Sequence, residues 1–207
     1  MKRAIFLSLL VLSLSGNTAL AQYFPPTNTG ALGGAYISLG LAPAYGQTIV
    51  SGARGGGGKY EETYSGLGYE IDFKAGYAIS SKFLVFGMAL FSDINGKIND
   101  PIELSLPGEA QFQTVMLGGG LAFYQQPWNV FYSLALCSGK ATTDPEIAPD
   151  ATRDAGLAVQ AKYGKEWVAS PEFNLGLALG MTYQSLSGNT SEMKAIRFSL
   201  GIVGTIK

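Results

Sequence analysis

The sequence predicts an all-β fold, an eight-stranded antiparallel up-and-down transmembrane β-barrel. Three observations predict it: apolar residues alternate with small or charged ones from Gly66 to Ile79, eight segments share this pattern, and the connections between segments alternate in length. A period of two is the side-chain period of a β-strand. The stretch from Gly66 to Ile79 exceeds the roughly 5–6 residues of an average strand. It suits a membrane crossing, which takes about 9–11 residues.

The chain opens with the layout of a secretory signal peptide. Lys2 and Arg3 precede an apolar run over 4–14, and small residues at Ala19 and Ala21 fit a cleavage site. This run is too short to cross a bilayer as a helix. We therefore expect a signal peptide over residues 1–21 and an outer-membrane β-barrel domain over residues 22–207.

The composition of the chain gives no indication of nucleic-acid binding and excludes an internal disulfide bond. Charged residues make up 14% of the chain and the formal net charge is −1, so nothing points to nucleic acid. The single cysteine, Cys137, cannot form an internal disulfide. We expect the hydrogen bonds of a closed barrel to stabilise the exported chain instead.

The first four strands are predicted over 35–44, 64–79, 83–92 and 111–124. Strands one, two and four each have one apolar face and one face of small or charged residues. Their expected outward residues include Ile37, Leu39, Leu67, Tyr69, Val115, Leu117, Leu121 and Phe123. Strand three is apolar on both faces. For that strand we expect Leu84, Phe86, Met88 and Leu90 outward, with Gly87 and Ala89 inward.

The last four strands are predicted over 129–138, 154–163, 172–184 and 195–206. In each of these strands, we expect the apolar residues to face lipid and the residues that alternate with them to line the lumen. The expected outward residues include Tyr132, Leu134, Leu136, Leu157, Val159, Leu177, Leu179, Phe198, Leu200 and Ile202. The expected inward ones include Ser133, Ala135, Cys137, Gln160, Lys162, Asn174, Thr182, Arg197, Ser199 and Thr205.

The connections alternate between long and short. Long polar segments follow the odd-numbered strands, at 45–63, 93–110, 139–153 and 185–194. Shorter segments follow the even-numbered ones, at 80–82, 125–128 and 164–171. Outer-membrane barrels have short periplasmic turns and longer external loops, so the pattern favours this class.

A secreted soluble barrel such as a lipocalin is the structural alternative. It would turn the apolar faces inward and expose the other faces to water. Those faces are mostly Gly, Ala, Ser and Thr. Small residues make a poor coat for a soluble protein but fit the interior of a narrow eight-stranded barrel. The composition of the two faces therefore favours the membrane barrel.

Aromatic residues cluster near the predicted strand ends, where amphipathic rings settle at membrane headgroups. Beside the short turns we expect an aromatic girdle of Tyr77, Trp128, Tyr132, Tyr163, Trp167 and Phe173. A second group near the long loops comprises Tyr45, Tyr60, Tyr64, Phe91, Phe112 and Tyr183.

With these features the chain resembles the small eight-stranded outer-membrane β-barrels, the OmpX-, Ail- and OmpW-like superfamily. The resemblance covers nearly the whole mature chain and rests mainly on architecture. The segment Gly164-Lys165-Glu166-Trp167-Val168 is similar to a periplasmic turn of one bacterial branch. The resemblance implies an outer-membrane location, with outer-membrane lipid and the outer-membrane assembly machinery as partners. Many members end in an aromatic residue, whereas this chain ends Thr205-Ile206-Lys207.

The chain contains no histidine, which removes the usual catalytic and metal-binding sets. No Ser-His-Asp or Cys-His arrangement can be built, and one cysteine cannot make a structural zinc site. We therefore expect a protein without catalytic residues, cofactor or metal, and not an enzyme. A carboxylate pair remains conceivable for acid–base work.

Five charged residues are expected to face the lumen: Glu70, Asp72, Lys74, Lys162 and Arg197. Two interpretations stay open. The first is an interior ion-pair network that plugs the barrel, since charges inside a barrel need partners. The second is a proton-binding or selectivity site at Glu70 and Asp72.

The leading functional hypothesis is a non-enzymatic integral outer-membrane protein. It would act in envelope integrity or surface interaction through its extracellular loops. The alternative is a narrow channel for small or hydrophobic solutes, because eight lumen positions are glycines that leave little side-chain volume. These are Gly40, Gly66, Gly68, Gly118, Gly120, Gly176, Gly180 and Gly201.

Overall fold

A computed structural model describes residues 34–53, 59–98, 109–125, 128–143, 156–188 and 191–206. The signal peptide expected over 1–21 lies outside the described residues. Within them, no helix is long and apolar enough to cross a membrane. The strands are β1 (Gly34–Ala53), β2 (Lys59–Ala78), β3 (Phe83–Ile98), β4 (Glu109–Gln125), β5 (Val130–Thr143), β6 (Gly156–Ser170), β7 (Phe173–Ser187) and β8 (Ser191–Ile206).

The eight strands form one closed antiparallel ring in chain order, with β8 paired to β1. This arrangement confirms the predicted fold class, an eight-stranded antiparallel up-and-down barrel. Closure leaves no sheet edge with unpaired backbone groups, which a membrane requires of any β-structure that crosses it. The strands are joined at one end by 54–58, 99–108, 144–155 and 188–190, and at the other by 79–82, 126–129 and 171–172.

Side chains alternate between an exposed outer wall and a buried lumen. On β2, Leu67 is 71% exposed, whereas Glu70 and Asp72 are buried. The outer wall carries a belt of exposed Leu, Ile, Val, Phe and Tyr side chains that runs around the barrel. The predicted directions are confirmed on the described residues of every strand except β3. The apolar belt is the surface that such a barrel presents to lipid.

The predicted direction of strand three is wrong. Leu84, Phe86, Met88 and Leu90 all point into the lumen and are buried. The register gives the reason: Phe86 is paired with Gly76 of β2 and Gly120 of β4, which leave space inside the barrel. Large side chains on β3 fill that space and keep the interior packed.

Several strands extend further toward the loop end than the sequence predicts. Residues 45–53 and 59–63, expected as loop, form the outer parts of β1 and β2, and within them 49–53 pair with 59–63. Here the outward residues become polar, as at Gln47, Glu61 and Thr63. The apolar signal of a membrane strand therefore ends while the strand itself continues. At the opposite end, 164–170 was expected as a connection but forms the last part of β6.

Proline interrupts the ladder that closes the barrel. The pairing of β1 with β8 is continuous up to Leu41 and Ile202, and it resumes at Ala44 and Ser199. Pro43 lies in the gap, and it has no backbone N–H to donate to β8. On its other side Pro43 is paired with Tyr69 of β2, so the wall stays closed.

The aromatic residues divide between the outer wall and the lumen. Tyr77, Trp128, Tyr132, Tyr163, Trp167 and Phe173 are all exposed at the end of the barrel with the connections 79–82, 126–129 and 171–172. In the second group the expectation fails for Tyr64 and Phe112. Both are buried inside the barrel, with ring centroids 5.3 Å apart in an edge-to-face contact. They lie on inward positions of β2 and β4 beyond the apolar belt.

Candidate functional site in the barrel lumen

An ion-pair cluster crosses the middle of the lumen. Lys162 on β6 places its Nζ 2.5 Å from Asp72 Oδ2 and 3.2 Å from Glu70 Oε1, both on β2. Three strands separate β2 from β6 along either arc of the ring, so these ion pairs join opposite walls. Lys74 Nζ lies 3.3 Å from Asp72 Oδ1 and 5.3 Å from the centre of the Phe86 ring. Two carboxylates and two ammonium groups thus balance within one buried cluster.

Neutral polar groups complete the coordination of Glu70. Gln160 Nε2 donates to Oε1 over 3.1 Å, and Thr182 Oγ1 donates to Oε2 over 3.1 Å. Ser199 Oγ donates a longer bond of 3.4 Å to Oε1. These donors come from β6, β7 and β8, so Glu70 links β2 to three other strands across the lumen. A buried carboxylate needs this many partners because its desolvation is costly.

Arg197 lies in a separate layer, closer to the loop end. Its Nη1 donates to Thr114 Oγ1 of the opposite wall at 3.1 Å and to Gln184 Oε1 at 2.8 Å. Thr114 is in turn 2.5 Å from Ser92. Within the described residues, Arg197 makes no ion pair with Glu70 or Asp72, and its Nε and Nη2 have no hydrogen-bond partner. Arg197 therefore spans the lumen through neutral groups.

A third polar layer lies at the end of the lumen with the connections 79–82, 126–129 and 171–172, and it is centred on Glu166. Its Oε1 accepts hydrogen bonds from Tyr124 at 3.0 Å and from Thr205 at 2.9 Å, and its Oε2 accepts one from Asn174 at 3.0 Å. Tyr124 also contacts the hydroxyl of Tyr36 on β1 at 3.5 Å. The layer joins five strands across the lumen.

Apolar side chains fill the space between the polar layers. Phe86, Met88 and Leu90 lie beside the ion-pair cluster, and Tyr64, Phe112 and Met116 lie toward the loop end. Glycine makes room for the charged groups: a Cβ at Gly40 would collide with the carboxylate of Asp72. At Gly180 the space is likewise taken by the side chains of Ser199 and Lys162, whereas at Gly68 the backbone carbonyl of Asp93 lies close. Most inward side chains of the described strands are buried.

The structure brings four of the five predicted lumen charges into one cluster: Glu70, Asp72, Lys74 and Lys162. Arg197 is buried in the same lumen but belongs to the next layer. Glu166 is not among the predicted lumen residues, because the sequence predicts a turn over 164–171, whereas β6 continues to Ser170. Extending the alternation of Gln160 and Lys162 by four residues would have placed Glu166 inside.

The polar groups of this interior are suited to binding protons and charge. Both carboxylates of the central cluster are engaged by lysines. Elsewhere, the hydroxyls of Tyr124 and Tyr64 donate hydrogen bonds to the carboxylates of Glu166 and Glu62. The described residues contain no group of three or more His, Cys, Asp or Glu side chains that could hold a metal ion. Buried ion pairs and hydrogen bonds therefore connect the walls across the lumen, and we refer to them as cross-braces.

The hydrogen bonds to Glu166 can be tested by a substitution with a moderate expected effect on stability. Replacing Thr205 with valine removes one donor to Glu166 with little change in shape. We expect the free energy of unfolding to fall by about 1.5–3 kcal/mol, the value of one hydrogen bond to a charged group. Urea unfolding in lipid vesicles would measure it. The exposed substitution Thr142→Val is the control and should change stability by about 0.5 kcal/mol or less. Equal effects of the two variants would contradict this description of the layer.

Comparison with known proteins identifies the fold. No protein-family model and no curated protein matches the chain. Among solved structures, the outer membrane protein OprG from Pseudomonas aeruginosa is similar with a TM-score of 0.53 and 14% identity, covering 86% of this chain and 99% of OprG. AlkL in lipid bilayers is similar with a TM-score of 0.47 and 14% identity, covering 89% of this chain and 95% of AlkL. The chain therefore has the fold of the small eight-stranded outer-membrane barrels, as the sequence resemblance implied.

Proposed function

We propose that this protein is a closed-lumen barrel of the bacterial outer membrane that acts in envelope integrity or surface interaction and is not an enzyme. The observation that carries this proposal is the packed lumen. The polar layers centred on Lys162 and Arg197 each connect opposite walls, and the layer centred on Glu166 joins five strands. Buried aromatic and aliphatic side chains fill the space between these layers.

The outer wall supports the membrane location. Exposed leucine, isoleucine and phenylalanine side chains surround the middle of the barrel, and tyrosine and tryptophan lie toward its periplasmic end. In water this belt would be a large exposed apolar surface. In lipid each square ångström of it is stabilised by about 25 cal/mol relative to water. This wall, together with the signal peptide expected over residues 1–21, supports the outer membrane as its location.

The packed interior favours a function at the surface over a channel. A solute passing along the axis would have to break the ion pairs of Lys162 with Asp72 and Glu70. Buried ion pairs are costly to break when one partner is left uncompensated. Among the connections at the end opposite the periplasmic turns, 99–108 and 144–155 are the longest. In this proposal, a partner outside the cell contacts these connections.

Planar-bilayer recording tests this proposal against the channel. We expect the purified barrel to insert without ion-conducting steps, because the cross-braces close the lumen. Bilayers without protein and bilayers with an open general porin provide the controls. Reproducible conducting steps that change in Glu70→Ala would contradict the proposal and favour the channel.

A further inference from the structure

An apolar groove crosses the outer wall of the barrel, separate from the lumen. Two rows of outward side chains form its sides, and strand backbone forms its floor. Its volume is about 620 Å³. The floor lies at one inward-facing residue on each of four successive strands: Ala122, Ser133, Lys162 and Gly180.

The strand register explains why the groove is continuous. The periplasmic side follows directly paired residues, in the order Phe83, Phe123, Tyr132, Tyr163 and Leu179. Directly paired residues of antiparallel strands point to the same face of the sheet. The two aromatic pairs in this row, Phe83–Phe123 and Tyr132–Tyr163, have ring centroids 5.2 and 5.1 Å apart. This side of the groove is therefore a nearly unbroken aromatic wall.

The opposite side is the next row of paired residues: Leu121, Leu134, Ala161, Met181 and Phe198. Four of these are large, and Ala161 is small. Ala161 lies between Leu134 and Met181, so the groove is widest in the middle of its length. A larger side chain at Ala161 would fill it.

The groove rises from the periplasmic edge toward the middle of the membrane. At one end, Phe83 is the first residue of β3, directly after the short connection 79–82. At the other end, Phe198 lies eight residues before the end of β8 at Ile206. Five strand spacings separate β3 from β8, which corresponds to about 24 Å. One leaflet of the hydrocarbon core is about 15 Å thick. A slanted path of this length suits one acyl chain within a leaflet.

A positive charge stands at the periplasmic end of the groove. Lys82 is exposed and directly precedes Phe83. Two hydrogen bonds hold its backbone beside the groove: its carbonyl accepts one of 2.8 Å from the Tyr124 N–H, and its own N–H donates to Ser80 Oγ at 3.3 Å. The groove thus has a cation at headgroup level and an apolar body that runs into the bilayer.

We propose that this groove is a binding site for a glycerophospholipid of the periplasmic leaflet. One acyl chain lies along the groove from Phe83 toward Phe198, and the lipid phosphate pairs with Lys82. The occupant follows from the chemistry of the two parts: the aromatic and aliphatic walls match a hydrocarbon chain, and Lys82 matches an anionic headgroup. Such a lipid would remain with the barrel longer than the bulk lipid around the rest of the belt.

Native mass spectrometry of the intact folded barrel, titrated with phosphatidylglycerol in detergent, tests the proposal. We expect one saturable lipid adduct in the wild type. Ala161→Phe should weaken binding about tenfold, equivalent to roughly 1.4 kcal/mol. Ala75→Phe is the matched control, since Ala75 faces outward on β2 away from the groove. It should change binding by no more than about twofold.

The turn variant keeps the test independent of barrel folding. Lys82→Gln should weaken binding of phosphatidylglycerol roughly fivefold, because one headgroup contact of a lysine is lost. Lys165→Gln, also exposed near the periplasmic end but outside the groove, should leave binding unchanged. Equal affinities for Ala161→Phe and Ala75→Phe, or equal effects of the two lysine variants, would overturn the proposal. So would a statistical series of adducts without saturation.

Discussion

Replacing Lys162 with methionine should lower the free energy of unfolding by about 3–5 kcal/mol, the cost of breaking a buried ion pair from one side. The ammonium group of Lys162 contacts both Asp72 and Glu70 across the lumen. Methionine preserves most of the volume and removes the charge. Two buried carboxylates would then share the single remaining ammonium of Lys74.

Urea unfolding in lipid vesicles measures this change, with Trp128 and Trp167 as the fluorescent reporters. Lys165→Met is the matched control, because Lys165 lies three residues further along β6 and faces outward. It should change stability by about 0.5 kcal/mol or less. A variant that also carries Glu70→Gln, Asp72→Asn and Lys74→Met should recover much of the loss, since it leaves no uncompensated charge. A Lys162→Met barrel as stable as the Lys165→Met barrel would show that the ion pairs do not brace the walls.

Placing arginine at Leu200 should destabilise the barrel by about 2–4 kcal/mol in lipid, the cost of a cation at the bilayer midplane. Leu200 is 60% exposed on the outer wall, and it is paired with Leu179 within the apolar belt. The control Ser187→Arg lies at the loop end of β7, beyond that belt. There the cost should be about 0–1 kcal/mol.

The same vesicle unfolding experiment compares the two arginine variants. Both variants add the same exposed side chain. The difference between their free energies of unfolding therefore reports how deep each site lies in the bilayer. A destabilisation at Ser187 as large as that at Leu200 would mean that the belt does not mark the membrane. Equal and negligible effects would place Leu200 in water.

The alternation of residue types was sufficient to predict most of the barrel because most strands have chemically different faces. On β2, leucine and tyrosine alternate with glycine and charged residues, so the direction of every side chain follows. On β3 both sets are apolar, as Leu84 and Val85 illustrate. The direction of the β3 side chains is decided by the small residues that lie opposite them on the neighbouring strands. Which residues lie opposite depends on the strand register, and the sequence of one strand does not specify that register.

The membership of the lumen cluster could be predicted only in part. Alternation places Asp72 and Lys162 inside, but it does not give their relative height. Their contact depends on the stagger of β2 against β6 across a closed ring. The same stagger puts Arg197 level with Thr114 and Gln184, away from the carboxylates. Long-range geometry of this kind is a property of the closed barrel.

The ends of the strands could not be predicted from apolar periodicity. Outside the membrane the outward positions of β1 and β2 are polar, so apolar periodicity stops before the strands do. Backbone pairing continues out to Ala53 and Lys59 because the hairpin ladder does not depend on lipid. Glu166 was missed for a related reason at the opposite end, where the alternation on β6 continues past the predicted strand end.

The thiol of Cys137 provides the most direct test of a closed lumen. It is the single cysteine of the chain, and it faces inward on β5 with 3% of its surface exposed. We expect a small charged methanethiosulfonate reagent to leave Cys137 unmodified in the folded barrel and to modify it fully after unfolding. Ser187→Cys combined with Cys137→Ala is the exposed control. Modification of folded wild-type Cys137 as fast as that control would show a water-filled lumen and contradict the closed barrel.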